Sequence, residues 1–198
     1  MSVPTRRDGT GERRRQEQAL ITAATALLEE GVPYATLSVG AIAERAGQTR
    51  TGFYQYFRDK RDLLLATTDE FVAGLFDDAD HWWSSTGGRA QLHDTLRTIA
   101  EHFRGSRILV RALMEAAGYD PEVSAYWTTS IGRFVDATHA RLIRDGHDPS
   151  EARELAEVLV WMVERSCHLL VLDDDGSGDA ARVDAMTTVW ARTLSLGP

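Results

Sequence analysis

The sequence predicts an all-α chain of about nine helices. Three observations carry that expectation. Apolar residues recur at three- and four-residue spacing along most of the 198 residues, alternating β-branched runs are scarce, and the five prolines fall mostly near gaps in the helical pattern. With 43% apolar and 26% charged residues, the composition is that of an ordinary globular protein. The length allows one larger domain, or a small and a medium one, with a core that needs no metal or disulfide staple. The single cysteine, Cys167, excludes an internal disulfide framework and a cysteine-rich zinc module, and a reducing cytoplasm is the expected compartment. No apolar run approaches the roughly 18 residues of a membrane helix. The start, MSVPTRRDGTGERRRQEQ, has no apolar stretch behind its arginines and does not read as a secretory signal.

Taken in order, residues 1–12 are polar and rich in Gly, Pro and Arg, which predicts a disordered basic arm. Leu20, Ala24, Leu27 and Leu28 then mark a first helix, with Gly31 as its stop. VPYATLS is a loop, and Thr36 or Ser38 can cap a short helix that runs to about Arg45. A break at Ala46–Gly47 precedes a third short helix, from Gln48 or Thr49 to somewhere between Tyr54 and Phe57. A longer helix starts near Lys60. After the loop STGGRA, helices are expected over 90–104, 106–117, 121–144, 151–172 and 180–196, punctuated by GYDP, DGHDPS and DDDGSGD.

The net charge of −8 argues against a polyanion partner until its distribution is considered. Residues 1–62 hold 10 basic against 8 acidic side chains, and residues 63–198 hold 12 against 22. A basic head on an acidic body suggests a small polyanion-binding unit joined to something that avoids polyanions.

Residues 36–63, TLSVGAIAERAGQTRTGFYQYFRDKRDL, read as helix, tight turn, helix. Ile42 and Ala46 share a face of the first helix, Ala43 is small where a second helix must cross, and Gly47 can take the left-handed conformation that redirects the chain. Gln48, Thr49, Arg50 and Thr51 open the second helix, the end that enters a major groove in helix-turn-helix proteins. Phe53 and Phe57 form its apolar side, and the hydroxyls of Tyr54 and Tyr56 can reach phosphate oxygens. The Thr36/Ser38 start, Ile42-Ala43, Ala46-Gly47, Phe53-Tyr54-x-Tyr56-Phe57, Lys60 and Leu63 resemble the TetR-type bacterial transcriptional repressors at uninterrupted spacing. The resemblance implies a TetR-like all-α fold: a three-helix DNA-binding domain over 13–62, then a helical ligand-binding and dimerisation domain over 63–198. It implies base contacts from Arg50, base or phosphate contacts from Gln48, Thr49 and Thr51, and backbone clamps at Tyr54, Tyr56 and Lys60. Arg13, Arg14 and Arg15 either track phosphates or a minor groove, or form a solvated arm. Gly52 is unusual inside a recognition helix: it leaves room for a base or a thymine methyl, or is simply tolerated. One such head buries little surface, so a homodimer reading two half-sites of a double-stranded operator about 34 Å apart is implied.

The body carries large apolar side chains at helical spacing. RALMEAAGYDPEVSAYWTTSIGRFVDA, ELAEVLVWMVERSCHLL and VDAMTTVWARTL resemble the C-terminal half of the ethionamide-activation repressor subfamily, sharing RA-x-x-x-AA, EV-x-x-x-W, M-x-ER and a late VW. That resemblance implies a mostly apolar tunnel for a small hydrophobic effector. Trp127 and Trp190 would be its tryptophans, and Leu92, Leu96, Ile99 and Phe103 would line it, with Leu92 standing where the relative has tryptophan. Ile131 is a further candidate. Val160 and Val163 fall where the relative has ligand-binding asparagines, so this pocket should be more apolar. Effector would shift the two heads off operator spacing. The 151–172 and 180–196 helices of two chains would form the dimer as a four-helix bundle, with Trp161 and Leu169 candidates for that face.

Other signals carry no site. Asp173-x-Asp175-x-Ser177-Gly178 mimics a calcium loop, but position eight is Ala180 and position twelve is Asp184, so an acidic solvated turn is expected. The six histidines lack metal spacing, Cys167 reads as a buried thiol, and no cofactor or catalytic set is expected. A helical ligand-binding dimer without operator binding and an all-α enzyme are the alternatives. The first is opposed by intact Arg50, Tyr54, Tyr56 and Lys60, the second by the lack of any paired acid/base or metal set.

Overall fold

The computed structural model describes residues 6–172 and 175–196. Residues 1–5 of the expected arm and Asp173 and Asp174 of the acidic turn lie outside them. Nine helices and no strand occur among the described residues.

The first helix, α1 (Arg6–Glu29), begins inside the stretch expected as a disordered arm. At the end of that stretch and just beyond it, pairs one turn apart favour helix: Glu12 accepts from Arg15 and Gln16 at 2.7 Å each, and Arg13 pairs with Glu17 at 2.8 Å. Its end is fixed by chain reversal. Gly31 adopts φ +88°, and Val32 N–H donates to Leu27 O while Gly31 N–H donates to Leu28 O. Helix α2 (Val39–Arg45) is capped by Ser38, whose hydroxyl accepts from Ala41 N–H at 3.1 Å; Thr36 instead donates to Pro33 O. At its end Gly47 takes φ +67° and Gln48 N–H closes back on Ala43 O at 2.8 Å. Helix α3 (Arg50–Phe53) is one turn long, capped by Thr49. It stops at Phe53, short of the expected range, and residues 54–56 continue as a turn. Leu20, Ala23, Ala24, Ile42, Ala43, Phe53 and Phe57 form the core of this three-helix head.

Helix α4 (Lys60–Trp83), capped by Asp59, runs unbroken across the 62/63 boundary expected between head and body. The body adds α5 (Arg89–Gly105), α6 (Arg107–Ala117), α7 (Pro121–Arg144), α8 (Pro149–Leu172) and α9 (Asp179–Thr193). Asp120 caps α7 and Pro121 opens it. Helix α7 lies along α8, while α5 packs against α4, α8 and α9. Helix α6 touches α1, α4, α7 and α8, so it bridges head and body. One continuous apolar core extends from Leu20 to Leu194. Two arginines of α7 close the end of α4: Arg141 donates to Trp82 O and Arg144 to Trp83 O, satisfying carbonyls that a helix C-terminus leaves open. Cys167 is buried, and burial pushes its thiol up to about 12, in keeping with an inert side chain. No helix among the described residues is long and apolar enough to cross a membrane.

Candidate nucleic-acid interface and apolar cavity

The head presents the first turn of α3 to solvent. Thr49, Arg50, Thr51 and Tyr54 are all exposed. Thr49 is committed to its own helix, accepting from Gly52 N–H at 3.0 Å. Arg50 lies one turn before Tyr54, with its guanidinium 6.0 Å from the ring centre and 3.4 Å from the hydroxyl. Gly52 has a structural reason: a Cβ there would stand 3.3 Å from Thr49 Oγ1 and crowd the cap.

Other expected contacts are engaged inside the head. The Gln48 amide donates to the backbone and side-chain oxygens of Gln16 at 3.1 and 2.9 Å, fastening the turn to α1. Arg13 sits 5.3 Å from the Tyr56 ring centre and pairs with Glu17. Arg15 pairs with Glu12, whereas Arg14 is exposed and has no ion pair among the described residues. Thr36 and Ser38 lie on the exposed loop before α2, one bonded to Pro33 O and the other capping.

Lys60 serves a junction. Its ammonium donates to Tyr34 O and Ala35 O at 2.7 and 2.9 Å and lies 4.7 Å from the Tyr34 ring centre. From the body, Glu115 of α6 accepts from Tyr34 N–H and Ala35 N–H at 3.1 and 2.9 Å. The 34–35 peptide segment is thus held from both sides. Partial burial lowers the Lys60 pKa from its ordinary value, and Glu115 opposes that shift. Nearby, Arg61 pairs with Asp120 and Glu122 at the start of α7 at 3.2 and 3.1 Å.

In the body, α4, α5, α7, α8 and α9 line an almost wholly apolar cavity of about 70 Å³. Leu92, Leu96, Ile99 and Phe103 line it from α5, Ile131 from α7, Val160 and Val163 from α8, and Trp190 from α9. Trp127 is not on the lining. It stacks on Phe71 and donates its indole N–H to Glu164 at 3.1 Å, and Glu164 is the residue that reaches the wall. Burial raises the Glu164 pKa above its ordinary value, against the opposing hydrogen bond from Trp127.

Residues 92–195, more than half of the chain, match the family described as transcriptional regulator EthR, C-terminal domain. Residues 20–67 match the bacterial regulatory proteins of the tetR family. The chain belongs to the TetR family, with an EthR-type C-terminal domain. It is 29% identical over 189 residues to the HTH-type transcriptional regulator EthR of Mycobacterium tuberculosis, covering 90% of this chain and 87% of that protein. It is 27% identical over 188 residues to EthR of Mycolicibacterium smegmatis, covering 90% and 86%. Among solved structures, the fatty acid degradation regulator FadR from Bacillus halodurans superposes with a TM-score of 0.73 at 17% identity, over 92% of this chain and 97% of that one. These relatives are transcriptional regulators, not enzymes.

Several residues of this TetR-family regulator's sites escape sequence reasoning. Glu115 falls inside a matched motif, but its partners are backbone groups 80 and 81 residues away. Leu75, Ala79, Trp82 and Trp83 bring α4 into the cavity wall. Their spacing over two turns is a usable signal, although any buried helix face gives the same pattern. Glu164 lies in the M-x-ER match, and nothing in the local sequence marks it as part of the cavity wall.

Proposed function

We propose that this TetR-family regulator is a repressor that binds a two-fold DNA operator as a homodimer and releases it when a small apolar effector enters the body's cavity. The observation that carries this reading is the exposed first turn of α3, with Arg50 and Tyr54 on one surface, backed by a head whose turns are fixed by Gly31, Gly47 and the Gln48–Gln16 bonds. A short helix held this rigidly can enter a major groove with its hydrogen-bonding side chains in register. In this reading residues 13–62 form the reading head and 63–198 the effector and dimerisation body, joined through α4, and the protein acts in the cytoplasm. Arg50 reads base edges, Thr51 and Tyr54 flank it, and Arg14 meets phosphate. Thr36 and Ser38 lie beside the backbone, and Gln48, Tyr56 and Lys60 position these groups.

The dimer reading rests on an apolar stripe. Val158, Trp161, Leu169 and Leu172 of α8 and Val189 of α9 are exposed, Val158 by 67%, and a matching pair of helices would cover them. The effector reading rests on the cavity walls. A cavity of about 70 Å³ is far smaller than the roughly 300 Å³ of a small-ligand site, so an occupant must part the helices around it. Only an occupant favouring the parted state shifts the equilibrium away from DNA binding.

Fluorescence anisotropy on labelled DNA from upstream of its own gene tests the reading. Binding that weakens steeply with salt, and falls tenfold or more for Arg50→Ala, is expected. No binding to any such fragment at low salt would overturn it.

A further inference from the structure

Among the described residues, three kinds of connection join the head to the body. The first is α4, which crosses between them as one helix. Long helices bend gently at little cost, so α4 alone does not fix the angle of the head. The second is an apolar seam, where Leu109 of α6 faces Leu28 of α1 and Leu64 of α4 across a cavity of about 20 Å³. Apolar contact is non-directional, and a seam with space in it permits sliding. The third is polar and directional. Glu115 stands in the last turn of α6, and both its carboxylate oxygens are in use: Oε2 accepts from Tyr34 N–H at 3.1 Å and Oε1 from Ala35 N–H at 2.9 Å. Bonds to a charged acceptor are the stronger ones, and two from consecutive peptides fix orientation as well as distance.

The segment so held belongs firmly to the head. Lys60 takes both of its carbonyls, and Tyr34 is 4% exposed. Helix α2 follows within a few residues, and the turn to α3 closes back on α2 through Gln48 N–H and Ala43 O. The orientation of the reading turn therefore follows that of residues 34–35. A second pin lies at the start of α4, where Arg61 pairs with Asp120 and Glu122 of the same α6–α7 corner.

We propose that Glu115 is a positioning residue that sets operator spacing: by fixing the angle of each head on its body, it selects the distance between half-sites that two heads accept together. This rests on the operator-binding homodimer proposed above. Glu115 touches no DNA in this assignment and acts through the backbone of residues 34–35. Without its two bonds each head stays attached through α4, the seam and Arg61, and can tilt. A tilting head meets half-sites at several spacings and is less well ordered beforehand for any one of them.

The test uses the full-length protein and a duplex that the wild type selects from random-sequence DNA. Anisotropy compares that duplex with versions one base pair longer or shorter at the centre, and with a single half-site. Each altered spacing shifts one half-site by about 3.4 Å and turns it by about 35°. The wild type should lose about a hundredfold on either altered spacing, because one head disengages. Glu115→Ala should lose only about five- to tenfold, with single half-site affinity within about twofold of the wild type. Glu115→Gln keeps the side chain's length and one acceptor oxygen; its spacing penalty should fall between the two, and it carries the test where the alanine variant fails to fold. An equal penalty in wild type and variants overturns the assignment and leaves operator binding standing. A half-site affinity that drops as far as that for the full duplex also overturns it, because Glu115 would then support the fold of the head rather than its angle. Should the wild type select no duplex, the operator reading falls and this assignment with it.

Discussion

The head and the body treat their polar groups in opposite ways. In the head, most hydrogen-bonding side chains expected to meet DNA already have a partner: Gln48 holds Gln16, Thr49 caps α3, Lys60 holds Tyr34 and Ala35, and Arg15 pairs with Glu12. In the body, two tryptophans that line an apolar cavity have indole donors with no partner among the described residues. The difference follows from what each region is proposed to meet. Duplex DNA is stiff and presents fixed spacings, so affinity gains from side chains ordered beforehand. The proposed effector is apolar and is met mainly through contact area, so its site can be built with few polar partners.

Four changes break or sharpen this contrast, in falling order of effect. Arg50→Ala is expected to weaken operator binding by about tenfold to a hundredfold and to relax preference at one base pair, as read by anisotropy on a set of single-base variants. An equal loss on every sequence would make Arg50 a phosphate contact instead. Glu115→Ala leaves two backbone N–H groups without their acceptor, and urea unfolding should register a loss of about 2 kcal/mol. An unchanged midpoint would mean that the junction between head and body is looser than its bonds imply.

Glu164→Gln probes the cavity by pH. Burial favours the neutral carboxyl, so the folded chain holds that proton more tightly than the unfolded chain does. The stability this gives is complete below the ordinary glutamate pKa of about 4.3 and is lost as pH rises through the higher folded value. The glutamine variant should therefore melt above the parent at pH 7, with the gap closing as the solution is acidified. Gly52→Ala is the smallest. Alanine favours helix by about 1 kcal/mol, but its Cβ at 3.3 Å from Thr49 Oγ1 disturbs the cap, and the melting temperature should barely move.

The same contrast explains what the sequence makes legible. The head is written in short-range signals: Ser38 and Thr49 as caps, Gly31 and Gly47 as turns, Phe53 and Phe57 one turn apart. The expected bounds of α5 to α9 differ from the observed helices by at most three residues. Partnerships across the chain are not legible. Gln48 has the right chemistry for a base contact, and nothing local reveals that Gln16 occupies it. The α5 stripe of Leu92, Leu96, Ile99 and Phe103 was readable because its spacing and the family resemblance agree. Trp127 matched by alignment, yet its ring turns to Phe71 and sends only its N–H toward Glu164. Helix α1 begins at Arg6, inside the stretch whose glycines and arginines suggest disorder.

Helix α4 carries Lys60 at one end and Trp82 and Trp83 at the other, with no interruption among its 24 residues. Such a rod is roughly 36 Å long. Pivoting it by about 5° at the tryptophan end swings the lysine end by roughly 3 Å. In the proposed symmetric pair both ends swing, so a small tilt at the indole end becomes a mismatch of several ångströms between the two half-sites. An uninterrupted helix of this length gives the proposed effector a lever on the proposed reading head.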